Sequence, residues 1–234
     1  MEWYVSSLFT AGKIDEKYSQ KALVILNTLV EKLYVNNTLY HQRLLNEKPK
    51  VKALLEDYAF LTQALLKAYN YSLRKDYLSL AKKLTSEAIK RFYRDNTWYM
   101  SDDEFESLAE VYDSVYRSSL SQMTENLLKV TALSDDLKTQ EIAKKIFEKE
   151  SYLLKNKSTN LSWLFRNYIA YKKEFVIIKS SKENLLKNST VNLPFTLKKV
   201  EDTNKYLACK IGVCFDYDDN FDTLVRKVKS VQDF

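Results

Sequence analysis

Glycine and proline are almost missing from this chain of 234 residues, which has two of each. Because both residues interrupt regular structure, their scarcity favours long helices joined by short polar turns. Apolar residues make up 45% of the chain and aromatic residues 13%, enough to fill the core of one large domain or of a domain with a small addition. The composition therefore predicts a folded, mainly α protein.

Cysteine and histidine are equally scarce, with two cysteines and a single histidine, His41. Two cysteines do not make a secreted disulfide framework, and Cys209 and Cys214 are not spaced as a C-x-x-C redox pair. A structural zinc site needs four ligands, and His41 is distant in sequence, so we expect no metal and no cofactor. We interpret the pair as two structural thiols on neighbouring strands, with a disulfide or a partial metal site as alternatives.

Long apolar runs and blocks of one charge sign are missing too. No run approaches the length of a membrane-spanning helix, and Met1 to Lys13 lacks the basic start and apolar block of a cleavable signal. The formal net charge is +6, but the lysines are mixed with glutamates and aspartates. That mixture indicates a solvated basic surface. We therefore expect a cytoplasmic protein that binds neither membrane nor nucleic acid.

Apolar residues at helical spacing divide most of the chain into hairpins of helices. Helices are expected over 15–33, 51–71, 77–92, 118–133, 136–150 and 159–171. The helix over 51–71 is apolar on nearly every face, which indicates burial on most sides. Two short segments, 38–43 and 92–100, are predicted to be extended, the second with its turn at Asn96 and Thr97.

The character of the chain changes near residue 173. Strand-like, β-branched segments follow, and a helix closes the chain. The strands are expected over 175–178, 191–200 and 205–210, and the helix over 221–231. We therefore predict an α/α helical-hairpin domain over 1–172 and a small α/β C-terminal appendage over 173–234.

Part of this sequence resembles a known family. The segment Lys52–Leu61, KALLEDYAFL, and the stretch that follows it to Asp113 resemble the C-terminal helical domain of YyaL-type thioredoxin-domain-containing proteins, which include spermatogenesis-associated members. The resemblance recurs at Tyr206–Cys209 and Cys214, which is similar to the closing cysteine element of that family. The thioredoxin-like domain and the first hairpins of the family have no counterpart here.

The resemblance implies a fold and a kind of function. The fold is a partial α/α toroid of the six-hairpin glycosidase kind that carries the α/β appendage. The function implied is carbohydrate or small polar ligand binding or processing in the cleft of that barrel, without a cofactor. If the chain is an enzyme, glycosidase-like or sugar-epimerase-like acid and base chemistry is expected.

Such chemistry needs two carboxylates, or a proton-transfer pair with a raised pKa. Glu56 and Asp57 are adjacent on a helix and point about 100° apart, so only one of them can face a substrate. Asp113 is the expected second carboxylate, which makes Glu56, Asp57 and Asp113 the catalytic candidates. The alternative is that Glu56 or Asp57 binds backbone donors at the start of the helix and holds the preceding loop.

Ligand-binding candidates are Tyr58, Trp98 and Tyr112, which can stack on a saccharide, and Ser118. Asp113 and Ser118 lie in a segment similar to the D-x-A-x-P-S-G-N-S loop of the family. The proline, glycine and asparagine of that loop are replaced here by Arg117, Ser119 and Leu120. This departure favours a decayed or repurposed site.

Two further hypotheses need no catalysis. Half a barrel leaves an apolar helix face open, which indicates a non-catalytic interaction module. Its expected partner is a separate N-terminal half-barrel or thioredoxin-like chain that completes a split barrel, or a second copy in a homo-oligomer. A truncated product without a function of its own is the third hypothesis, because Met1 falls inside a helix of the family pattern.

Overall fold

The computed structural model describes residues 2–104, 107–188 and 193–232. The helices are α1 (Glu2–Ala11), α2 (Lys17–Leu33), α3 (Leu55–Ser72), α4 (Lys75–Phe92), α5 (Ser119–Ser134), α6 (Leu137–Lys149), α7 (Ser151–Asn156), α8 (Ser162–Lys173), α9 (Lys182–Lys187) and α10 (Phe221–Gln232). The strands are β1 (Tyr34–Val35), β2 (Thr38–Gln42), β3 (Lys50–Lys52), β4 (Tyr93–Arg94), β5 (Thr97–Trp98), β6 (Val176–Ser180), β7 (Thr196–Val200), β8 (Tyr206–Lys210) and β9 (Val213–Asp218). Among the described helices, none has the length and apolar character needed to cross a membrane.

Two buried helices, α3 and α5, form the centre of the molecule. They pack against each other, with α1 and α4 against α3, and α6 and α8 against α5. Most side chains of both helices are buried, which agrees with the predicted burial of the segment 51–71. Helix α5 differs from α3 in burying many polar side chains, among them Gln122, Glu125 and Asn126.

Short hairpins follow two of the helices. Strands β1 and β2 are joined by Asn36 and Asn37, and β4 and β5 by Asp95 and Asn96, all four with positive φ. Asparagine and aspartate tolerate this conformation better than other residues with a β-carbon, so they form these turns in a chain that is poor in glycine. The second turn lies one residue earlier than the predicted Asn96 and Thr97.

Residues 50–52 also differ from the prediction. They form strand β3, which pairs antiparallel with β2, so the buried helix begins at Leu55 and not at residue 51. The extended segment predicted over 38–43 is confirmed as β2.

The C-terminal part contains a four-stranded mixed sheet in the order β7-β6-β8-β9, with β6 and β7 parallel and the other pairs antiparallel. Helix α9 packs on β6 and β7, and α10 packs on β8 and β9. The strands predicted over 175–178 and 205–210 and the closing helix are confirmed. The strand predicted over 191–200 is shorter, because β7 begins at Thr196 and residues 194 and 195 form a turn; residues 191 and 192 lie outside the described residues. Neither β9 nor α9 was expected from the sequence.

Cys209 and Cys214 face each other on β8 and β9 and form a disulfide. The interpretation of this pair as two separate thiols is therefore wrong, although their place on neighbouring strands is confirmed. The disulfide alternative is the one that the structure shows.

The predicted fold class, a mainly α partial α/α toroid, is wrong as well. In the described part of the chain, helices hold 58% of the residues and strands 17%, in three sheets, so the fold is mixed α/β. Strands β6 and β7 pack against α5, and one continuous apolar core runs from the helices into the sheet. Helical periodicity located the helices, but it carries no information about turns built from Asn and Asp or about how a sheet packs.

Candidate functional site

Asp57, a predicted catalytic residue, binds backbone and side-chain donors at the start of α3. Its Oδ2 accepts the N–H of Leu54 at 2.8 Å, and both of its oxygens lie 3.0 Å from Nδ1 of His41 on β2. Burial raises the pKa of Asp57, and the contact with His41 opposes that rise. The carboxylate thus connects β2 to the start of α3, which is the geometry of the structural alternative.

Asp113 holds the loop before α5 in place. Its Oδ1 accepts the N–H of Ser118 at 3.0 Å, and its Oδ2 accepts the N–H of Trp163 at 2.9 Å. Ser118 is the buried N-cap of α5, and its Oγ accepts the N–H of Ser121 at 3.1 Å. Asp113 and Ser118 therefore both orient backbone, and Asp113 connects the start of α5 to the start of α8.

Glu56 differs from the other two catalytic candidates, because in the described part of the chain it contacts a side-chain hydroxyl and no backbone N–H group. It is partly buried, and its Oε2 lies 3.4 Å from the hydroxyl of Tyr116 in the loop that contains Asp113. Burial and the neighbouring charge of Asp57 raise the pKa of Glu56. Glu56 therefore contacts the loop that contains Asp113, and the residue of that loop that it contacts is Tyr116.

The three aromatic candidates lie in different surroundings. Tyr58 is buried, and its hydroxyl accepts a hydrogen bond from Nη1 of Arg91 at 3.1 Å. Trp98 is buried with its ring centroid 5.2 Å from that of Tyr93. Tyr112 is exposed. Tyr58 and Trp98 therefore contribute to the core, and Tyr112 alone offers an accessible ring.

A cleft of about 410 Å³ lies elsewhere, between the helices and the C-terminal sheet. Its walls are the end of α1 with the turn that follows, the C-terminal half of α3, the helices α5 and α8, and the segment 193–198. None of the seven predicted site residues lines it. Its volume is within the usual range of small-molecule sites.

The wall of this cleft is rich in positive charge. Among the described residues, two carboxylates line it, Glu16 and Glu125. The described basic side chains that line it are six, namely Lys13, Lys67, Arg117, Lys129, Arg166 and Lys198. Glu16 accepts a hydrogen bond from the hydroxyl of Tyr71 at 2.7 Å.

Glu125 lies at the centre of the charged wall and is buried. Its Oε2 lies 2.6 Å from Nη1 of Arg117, and its Oε1 lies 2.8 Å from Nζ of Lys129 and 3.4 Å from Nη1 of Arg166. Burial alone would raise the pKa of Glu125, but the charges of Lys129, Arg117 and Arg166 outweigh it and hold the pKa far below its usual range. One carboxylate is thus shared by three cations.

Lys67 projects from α3 on the same wall. Its Nζ donates to the carbonyl oxygen of Ser6 at 2.7 Å and to Oγ1 of Thr10 at 3.1 Å, both on α1. Burial, with repulsion from Lys129 and Arg117, lowers the pKa of Lys67 to about 7. Desolvation and the charge of Lys129 also lower the pKa of Lys13.

Aromatic rings lie among these cations. The guanidinium of Arg117 lies 3.5 Å from the ring centroid of Trp163, and that of Arg166 lies 5.0 Å from the ring of Phe195. Such contacts hold the two guanidinium groups against flat apolar surfaces. The cleft therefore combines positive charge with surfaces on which a ring or an apolar group can pack.

Gly12 forms the turn between α1 and α2 at the edge of the cleft. A β-carbon at this position would lie 1.8 Å from Oγ of Ser19 and 2.8 Å from its Cβ. Only glycine allows this close approach of the two helices. The approach in turn sets the position of Lys13, the next residue.

Sequence reasoning missed this cleft, although one signal for it is visible. Lys67 is the only charged residue between Tyr58 and Ser72, on a helix whose side chains are mostly buried. A single lysine in such a segment requires a polar environment at that position.

The fold and the cleft define a class: a mixed α/β protein with a cationic, aromatic-lined cleft of small-molecule size. No protein-family model matches the chain, and no curated protein shows significant similarity to it. Within the described ranges, no group of three or more His, Cys, Asp or Glu residues is placed to hold a metal ion.

Proposed function

We propose that this protein binds a small anionic ligand in the cleft between its helices and its C-terminal sheet. The observation that carries the proposal is the excess of positive charge on the wall. Glu125 is shared by Arg117, Lys129 and Arg166. In the described part of the chain, neither Lys13 nor Lys67 forms an ion pair with a carboxylate.

Like charges in a partly buried space repel each other more strongly than they do in water. Desolvation lowers the pKa of Lys67 and of Lys13, and repulsion from neighbouring cations lowers both further. The negative charge of a bound anion offsets the repulsion and raises both pKa values. The protein therefore has a physical reason to bind anions in this cleft rather than on its remaining basic surface.

The resemblance to YyaL-type proteins is compatible with this proposal, since it implies small polar ligands. Guanidinium groups beside Trp163 and Phe195 suit a ligand with a ring and an acidic group, such as an acidic or phosphorylated sugar. The acid and base pair expected among Glu56, Asp57 and Asp113 receives less support, because Asp57 and Asp113 accept backbone N–H groups. Binding is the function that the geometry supports best.

Thermal shift and titration calorimetry against a panel of anions test the proposal. The panel holds sulfate, inorganic phosphate, acetate and a hexose 6-phosphate, with the neutral hexose as the reference. At constant ionic strength we expect the anions to stabilise the protein and the neutral hexose to leave it unchanged.

A variant and a matched control assign the effect to the cleft. Lys13→Ser removes a cation from the wall, whereas Lys182→Met removes one from α9, outside the cleft. Lys13→Ser should weaken anion binding several-fold, and Lys182→Met should bind as the wild type does. Equal weakening in both variants, or stabilisation by the neutral hexose alone, would contradict an anion site here.

A further inference from the structure

The surroundings of Lys67 identify the class of anion. Resting on the proposed function, we propose that the cleft binds the dianionic phosphate monoester of a small molecule and that Lys67 takes up one proton as this ligand binds. The step is a proton transfer from solvent to Nζ of Lys67, with no covalent bond to the ligand.

The geometry around Lys67 leaves room for this role. An ammonium group has three N–H donors. Two of them are accounted for by the carbonyl oxygen of Ser6 and by Oγ1 of Thr10. In the described part of the chain the third has no acceptor, so it can donate to an oxygen atom of a ligand in the cleft, which Lys67 lines. The two contacts to α1 fix the amine at the wall, so it needs no rearrangement to meet a ligand.

The groups that face Lys67 come from three other parts of the chain. Lys13 lies in the turn after α1, Arg117 lies before α5, and Glu125 and Lys129 lie on α5. Three of these four groups are cations, and the charge of Glu125 is also shared with Arg166. Burial favours the uncharged amine of Lys67, and the positive field of these groups favours it further when the cleft holds no anion.

That field is lowered more by a dianion than by a monoanion. With the pKa of Lys67 at about 7, a substantial fraction of the protein lacks this proton at pH 7.5. A phosphate monoester has its second pKa near 6, so it carries close to two negative charges at that pH. Its charge raises the pKa of Lys67 and restores the ammonium, which then binds the ligand as a charge-assisted donor. Arg117 and Arg166 offer planar donors to the remaining phosphate oxygens.

Calorimetry can count the proton directly. A hexose 6-phosphate is titrated into the full chain at pH 7.5 in two buffers with different ionisation enthalpies, HEPES and Tris. The difference in observed heat gives the number of protons taken up per ligand. Sulfate, a dianion that does not titrate near this pH, is titrated as a second probe to exclude a contribution from the phosphate itself. Acetate is titrated as the monoanion.

For the wild type we expect uptake of roughly 0.5 to 0.8 proton with both dianions. The hexose 6-phosphate should bind at least about tenfold more tightly than acetate. Lys67→Met should lose the proton uptake and bind the dianions about tenfold more weakly, because one charge-assisted contact is gone. Lys67→Arg keeps the charge at all pH values, so it should bind without taking up a proton. Lys182→Met should match the wild type in both quantities.

The two proposals fail in different ways. If none of the anions binds the wild type, the proposed function is overturned and the inference with it. If the dianions bind but no proton is taken up, or if acetate binds as tightly as the hexose 6-phosphate, the inference is overturned and the proposed function stands. Uptake that persists in Lys67→Arg would assign the proton to another group and would also overturn the role of Lys67.

Discussion

Nη1 of Arg117 lies 2.6 Å from Oε2 of Glu125, whose side chain is only 6% exposed. The same guanidinium lies against the ring of Trp163. Trp163 in turn donates its backbone N–H to Asp113, which also accepts the N–H of Ser118. The charged wall of the cleft and the loop that holds Asp113 are thus one connected structure, and both can be tested by substitution.

Glu125→Gln should destabilise the protein strongly. The amide keeps the shape of the side chain but leaves Arg117, Lys129 and Arg166 without their shared negative charge in a partly buried place. Loss of one partner from a buried ion pair costs about 3–5 kcal/mol of unfolding free energy. Urea unfolding at pH 7 would measure this loss. The control is Glu141→Gln, which removes one of the two exposed partners of Lys144 and should cost less than about 1 kcal/mol. A similar small loss in both variants would contradict the claim that the charge of Glu125 stabilises the three cations around it.

The acid dependence of stability follows from the same carboxylate. The pKa of Glu125 is lower in the folded protein than the ordinary value of 4.5. The folded state therefore binds this proton less readily than the unfolded state, and the stabilisation is present above pH 4.5 and is lost as the pH falls below it. Urea unfolding from pH 6 to pH 3 should show a steeper loss for the wild type than for Glu125→Gln. Parallel curves would show that Glu125 titrates alike in both states.

The lowered pKa of Lys67 predicts that the free energy of unfolding changes with pH above pH 7. Its pKa is about 7 in the folded protein and 10.5 ordinarily. Between these values the unfolded state holds the proton and the folded state does not, so the free energy of unfolding should rise from pH 7 towards pH 10. Lys67→Met has no such group and should lack this part of the rise. Urea unfolding at pH 7, 8.5 and 10 measures the difference. A variant curve that rises as steeply as that of the wild type would contradict the lowered pKa.

Asp113→Ala should lower the stability of the protein. It removes the acceptors of two backbone N–H groups, those of Ser118 and Trp163, and charged hydrogen bonds of this kind contribute about 1.5–3 kcal/mol each. We expect a loss of about 2 kcal/mol or more by thermal and urea unfolding, and a smaller loss for Asp113→Asn, which keeps one acceptor oxygen. Asp202→Asn, at an exposed position, is the control. Unchanged stability in Asp113→Ala would reopen a catalytic role for this carboxylate.

Gly12→Ala should strain the turn beside the cleft. The new methyl group would overlap the side chain of Ser19, and overpacking of this kind costs about 1–3 kcal/mol. Ser19→Gly removes the Oγ and Cβ atoms that the methyl group meets, so the double variant should recover part of the loss. A double-mutant cycle by urea unfolding measures this coupling. Additive losses would show that the two residues do not compete for one space.

Periodicity and residue type predicted a good part of the fold. Helix α4 and the strands β2, β6 and β8 lie close to where the sequence placed them, because each has a clear helical or extended pattern. The start of α3 was misplaced because residues 50–52 pair with β2, a partner that a local pattern does not reveal. The arrangement of the elements was wrong for the same reason, since α5 packs against both helices and strands.

The candidate site was less predictable still. The sequence shows that Asp57 and Asp113 are acids, but it does not show that backbone N–H groups occupy their oxygens. The charged cleft combines Lys67 with side chains from distant segments, and only the isolation of Lys67 in an apolar helix gave a sign of it. The expected partner, a separate N-terminal chain or a second copy, stays a prediction for size-exclusion measurements.

The cleft brings Lys13 and Ser19, near one end of the chain, against the segment 193–198, near the other. During synthesis, α1 and the turn that follows it leave the ribosome well before the segment 193–198 does. At ordinary translation rates the interval is roughly 10 to 35 seconds, in which α1 to α3 can form while the positive wall still lacks its cover from the C-terminal sheet. The cleft that we propose as an anion site is therefore assembled only after the segment 193–198 has been synthesised.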